Sequence, residues 1–140
     1  MSKTIVQKIL FKNTSPGTLY ELYVDSKKHA IATGAPARIA AKEGGNFSAH
    51  NNWIKGKILQ LIKNKLIVQS WRGADWLKET VDSTFVLFLE QKGKHTVVYA
   101  THANVPDSNY DAINKGWHQH YWEPWKKYLA GTPVAESVKM

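Results

Sequence analysis

From Pro36 to His102 the chain is broken at short intervals by turn signals, and the pattern then switches once, to a single long amphipathic stretch from Ser108 to Leu129. Short loops can join only antiparallel neighbours. The segments Arg38–Lys42, Phe47–His50, Lys57–Ile62, Leu66–Arg72, Asp82–Gln91 and His95–His102 therefore predict an antiparallel meander of about six strands. Ahead of it, Thr4 to Asn13 alternates polar and apolar residues and reads as one more strand. Ser15-Pro16 supplies an N-cap and a first-turn proline for a short helix, and Asp25-Ser26 caps a second one ending near Gly34. One face of such a sheet must be covered, and only the last helix is long and apolar enough to do it. The expected class is α+β: a curved antiparallel sheet around a long C-terminal α-helix, with two short helices after strand 1.

The length of 140 residues fits one domain. We expect it to occupy 1–131, with 132–140, beyond Gly131, as a loose tail. The absence of cysteine excludes disulfides, zinc–thiolate sites and thiol nucleophiles, and suits a reducing compartment. The N-terminus, MSKTIVQKILFKN, is not a signal peptide, and the longest apolar run, Phe85–Leu89, is too short to span a bilayer. The protein is expected to be cytoplasmic, with no membrane span.

A formal net charge of +8 favours an acidic partner. Between Gly44 and Ala74 there is no acidic residue, while Lys55, Lys57, Lys63, Lys65 and Arg72 fall there. The four lysines are the candidate surface for an acidic protein partner, the plain alternative being a solvated hairpin. Nucleic acid is not expected, because only Trp53 stands near this basic stretch and such binding needs interleaved, exposed aromatics.

The densest aromatic stretch is GWHQHYWEPW, Gly116 to Trp125. On a helical wheel Ile113, Trp117, Pro124, Tyr110, Tyr128 and Tyr121 gather on one arc, extended by Trp125, Leu129 and Trp122. A core-facing stripe is the simplest reading. His118 and His120, two residues apart, point to different sides and cannot chelate one metal from this helix. His118 borders the apolar arc and His120 falls on the polar side. Pro124, inside the helix, removes the bond to the His120 carbonyl and predicts a kink.

No phosphate loop, nucleophile elbow or metal-ligand spacing is present, and no cofactor or metal is expected. Asp75, Glu79 and Asp82 cluster in one loop, where a carboxylate pair would suit acid–base work. Salt bridges to the basic hairpin are the simpler reading. His102 shares a strand face with Thr96, Val98 and Ala100, turned toward the long helix at the mouth of the space between them. Nothing in these motifs obliges catalysis.

Several stretches together resemble a known family: SPGTLYELYVDSKKHAIATGAPA, GGNFSAHNNWIKGKILQLIKNKLIVQSWR, DSTFVLFL, THANVP and GWHQHYWEPWKKYL, in that order. The chain is similar, from about residue 4 to 130, to homologues of the activator of heat-shock protein 90 ATPase, within the START-like, Bet v 1-like superfamily. The resemblance implies a helix-grip fold with an internal cavity that commonly holds a lipid or other apolar small molecule. It also implies that the eukaryotic activator corresponds to this chain only in its C-terminal domain, a separate N-terminal domain making the main chaperone contacts. Since 140 residues leave no room for that domain, chaperone activation does not follow from the resemblance. The expected function is a non-enzymatic module binding an apolar or amphipathic small molecule. Strand parity and the helical arc select Trp71, Phe85, Leu87, Val98, Ala100, His102, Trp117 and Tyr121 as its lining. The alternative is a co-chaperone-like interaction module using the basic hairpin.

Overall fold

The computed structural model describes residues 1–131; the tail expected over 132–140 lies outside the described residues. Seven strands form one antiparallel sheet in the order β1-β7-β6-β5-β4-β3-β2. They are β1 (Ser2–Phe11), β2 (Arg38–Ile39), β3 (Asn46–Ala49), β4 (Ile54–Ile62), β5 (Leu66–Gly73), β6 (Ser83–Lys92) and β7 (His95–Pro106). Consecutive strands pair from β2 to β7, as short loops require, and the first strand then pairs with the last. Close approach of the strands at Gly56 demands glycine: a Cβ there would lie 2.0 Å from the Ser70 carbonyl oxygen. Near the end of β7 the register with β1 slips between Lys3 and Ile5. Asn104, at φ 62°, supplies the left-handed residue of that bulge.

The two short helices are α1 (Pro16–Val24) and α2 (Ser26–Thr33). Ser15 caps the first by accepting from the Thr18 amide, and Asp25 caps the second by accepting from the Lys28 amide. Gly34, at φ 78°, ends α2 in the left-handed region that glycine occupies freely. The C-terminal helix runs from Asp107 to Leu129 in three sections: α3 (Asp107–Trp117), a π-helical turn (His118–Trp122) and α4 (Glu123–Leu129).

The perturbation predicted from Pro124 takes the form of this π-turn. The Glu123 amide bonds to the His118 carbonyl, five residues back, so the chain is already displaced when it reaches the residue that cannot donate. The extra residue also rotates everything after it, which overturns part of the wheel. His118 is exposed and His120 half-buried, the reverse of the expected order. Tyr128, expected on the apolar arc, is 36% exposed, whereas Trp122, expected at its margin, is 1% exposed. Residues five apart lie together in a π-turn, and the Trp117 and Trp122 rings stack at 5.6 Å and 15°.

Candidate functional site

Along β5, β6 and most of β7, alternate residues are buried toward the helix. That alternation and the inner side of the C-terminal helix together bring all eight expected lining residues into the interior: Trp71, Phe85, Leu87, Val98, His102 and Trp117 at 0% exposure, Tyr121 at 1% and Ala100 at 2%. Their rings meet one another. Phe85 stacks on Trp117 at 4.1 Å and 12°, Trp71 meets His102 edge-on at 4.7 Å, and Tyr121 tilts against Trp117 at 4.8 Å. Clefts of about 670, 600 and 570 Å³ open at the surface, and none of the eight residues is among their walls.

His102 is therefore not at a mouth, as expected, but at the centre. The Trp117 indole N–H donates to His102 Nδ1 at 3.1 Å, so Nδ1 carries no proton. The proton of the neutral ring sits on Nε2 and is donated to Ser83 Oγ at 2.7 Å. Ser83 in turn donates to the Trp71 carbonyl at 2.7 Å. Each hydrogen bond along Trp117–His102–Ser83–Trp71 thus has its donor assigned, and the serine proton points away from the imidazole. A serine beside a histidine here is a girder, not an activated nucleophile. Burial holds the His102 imidazole down at about 3, so it stays neutral.

Three further polar groups inside the core are not singled out by motif reading. Gln7 faces inward between Ile5 and Ile9. It accepts from the Trp122 indole at 2.7 Å and donates to the Asn114 carbonyl and side-chain oxygens at 2.8 and 2.9 Å. His29 Nδ1–H donates to the Tyr23 carbonyl at 2.8 Å, which leaves Nε2 to accept from the Tyr121 hydroxyl at 2.9 Å. Gln69 donates to the Tyr23 hydroxyl at 2.8 Å. The available signal was parity: Gln7 and Gln69 sit at inward positions of otherwise apolar strands. Burial lowers His29 to about 4 and raises the Tyr23 and Tyr121 hydroxyls.

His50 is the unusual member. It opens a run of three left-handed residues, His50, Asn51 and Asn52, at φ 51°, 56° and 70°. Its ring is 1% exposed, neither nitrogen has a hydrogen-bond partner, and it packs edge-on against His120 and Tyr121 at 5.4 and 5.3 Å. Burial first, then the nearby His29 and His120, push it down to about 3. Among the described residues no group of three or more histidine, aspartate or glutamate side chains is placed to hold a metal ion.

The acidic loop is organised by Arg72. Its guanidinium donates to the Thr80 carbonyl at 2.6 Å, to Asp82 at 2.7 Å and to the Leu77 carbonyl. Asp75, Glu79 and Asp82 are all exposed, whereas His102 is buried, so acid and base are not assembled at one centre. Lys55 and Lys57 project from β4, and Lys63 and Lys65 flank the turn to β5. All four are exposed, and none pairs with a carboxylate among the described residues. Nor, among the described residues, is any helix long and apolar enough to cross a membrane.

Sheet, grip and chain order together carry a family signature. Residues 13–130 match the family model described as Activator of Hsp90 ATPase homolog 1-like protein. The chain belongs to this family. The human Activator of 90 kDa heat shock protein ATPase homolog 1 is 26% identical over 110 residues, which are 79% of this chain and 32% of the human protein. The Dictyostelium discoideum homologue is 27% identical over 116 residues, 83% of this chain and 30% of that protein. The chain thus spans about a third of the length of these curated relatives. A crystal structure described as an HSP90 activator from Plasmodium falciparum superposes with a TM-score of 0.79 at 27% identity, covering 95% of this chain and 98% of that one. CalU16 from Micromonospora echinospora shares the fold at a TM-score of 0.80 and 18% identity, covering 95% and 78% of the two chains. The fold is the helix-grip of the Bet v 1-like, START-like superfamily.

Proposed function

We propose that the chain is a co-chaperone-like interaction module whose basic hairpin docks on an acidic surface of an Hsp90-type ATPase. The observation that carries this reading is the β4–β5 hairpin, where Lys55, Lys57, Lys63 and Lys65 are exposed with no carboxylate partner among the described residues. Unpaired charges on one rigid hairpin steer and orient an oppositely charged partner. The Plasmodium falciparum structure supports the partner class, since it matches this chain over nearly its whole length and is described as an HSP90 activator. The test is binding of purified protein to an Hsp90, with ATPase turnover followed alongside. Affinity should fall with added salt, and reversing the four lysines to glutamate should weaken binding about tenfold or more. Binding indifferent to both changes overturns the reading.

A second reading, a small-molecule module, is favoured by one specific observation. The Trp71 indole N–H and the Gln69 side-chain oxygen are buried with no hydrogen-bond partner, on the inner face of β5. A ligand with polar groups placed between sheet and helix would satisfy them. Native mass spectrometry of freshly purified protein decides it: a retained mass supports the reading, and the bare chain mass opposes it.

A further inference from the structure

All five helical segments bury side chains from one side of the sheet, and the other side has no covering layer among the described residues. An antiparallel sheet with one solvated face normally alternates apolar inward and polar outward. Here many of the outward positions are apolar too. Their register aligns them in rows across the strands. One row runs Ile62, Leu66, Phe88, Tyr99 and Lys8. The next runs Gln60, Val68, Val86, Thr101 and Val6, and a third links Glu90, Val97 and Leu10. Val6 is 74% exposed and Leu10 and Ile62 are each 44% exposed, while Leu66, Val68, Val86, Phe88 and Tyr99 are half-buried and Val97 is buried. Five strands at the usual spacing make the band about 19 Å wide, room for roughly three turns of helix.

The charge around this band is mostly positive, with the Glu43 carboxylate accepting from the Leu61 amide at the β4 edge. Lys8 extends over Tyr99, with its amine 5.6 Å from the ring centre. Lys55 and Lys57 take outward positions on β4, and Lys63 and Lys65 sit beside Ile62 and Leu66. Glu90 is the one carboxylate in the three rows, and it is engaged by Lys92 at 3.4 Å and by the Tyr99 hydroxyl at 3.0 Å. We infer that this outer sheet face is a docking surface for an acidic amphipathic segment of a protein partner, with the segment's apolar stripe on the band and its carboxylates on the lysine rim. This deepens the protein-partner reading above and rests on it. A second copy of this chain fits badly, because face-to-face pairing would set each lysine rim against the other in a molecule of net charge +8.

The experiment titrates isotope-labelled protein with three synthetic helical peptides: a leucine stripe flanked by glutamates, the same stripe flanked by lysines, and a scramble of the first. Amide shifts should appear only with the first peptide and should map to β5, β6 and β7. In a variant combining Val68→Thr, Val86→Thr and Phe88→Thr, changes that keep β propensity, affinity for that peptide and for an Hsp90 should fall about tenfold. Shifts mapped to the helical face, no binding by the wild type, or equal binding by a folded variant overturn the proposal. So do concentration-dependent self-association through this face in sedimentation, and binding to phosphatidylserine vesicles in place of peptide. If the lysine reversals abolish chaperone binding while the threonine variant retains it, the hairpin reading stands and this one falls. Peptide binding without any chaperone binding overturns the hairpin reading and leaves the docking face standing.

Discussion

At the scale of single residues, the interior is set by where protons sit. His29, His50 and His102 are buried and neutral, held at about 4, about 3 and about 3 chiefly by loss of solvation. In an unfolded chain each returns to the ordinary value of about 6.5. Below that pH the unfolded state takes up protons that the fold refuses. The stability these groups permit is therefore complete above about pH 6.5 and is lost as the pH falls toward 4, by on the order of 1 kcal/mol per pH unit for each histidine. Urea titrations from about pH 8 to about pH 4.5 should show a plateau and then a steep decline, whereas a level profile through about pH 5 would contradict the buried neutral assignments. None of this was legible in composition. His29 lies in a helix whose polar and apolar residues show little segregation, and His50 gains its burial from a left-handed turn that no periodicity announces.

Elements were legible where their rules are local. Ser15-Pro16, Asp25 and Gly34 mark helix ends because caps depend on a few neighbouring atoms. The eight inward residues followed from strand parity and the helical arc, and the structure brings them together. What failed beyond Trp117 was the placing of Tyr128 and of His118 against His120, because a wheel assumes a constant turn and the π-turn inserts one residue; Tyr121, Trp122 and Trp125 are buried as the arc led us to expect. That insertion sets Trp122 beneath Trp117 and aims its indole at Gln7. Deleting exposed Gln119 from the turn should restore a regular α-helix in which Trp117 and Trp122 stand four apart on the same buried face. A cooperative thermal transition close to that of the wild type is expected, and its loss would show that the core depends on the π-turn itself. The filling of the space between helix and sheet was beyond reach, since it depends on how side chains from distant strands interlock.

At the scale of the whole molecule, β1 is an edge strand whose only partner among the described residues is β7. Removing it would bare the amides and carbonyls of β7 and the inward row that Ile5, Ile9 and Phe11 now cover. A truncation lacking β1 should sediment as oligomers or precipitate, and a monomer with native circular dichroism would refute that expectation. The same pairing has a bearing on how the protein is born. Ser2 is joined to Pro106 in the register, so β1 leaves the ribosome about a hundred residues ahead of the strand it pairs with. The meander from β2 to β7 can zip up progressively, but closure waits for β7. A nascent chain stalled before β7 emerges carries a homeless amphipathic strand, the kind of segment that holding chaperones capture.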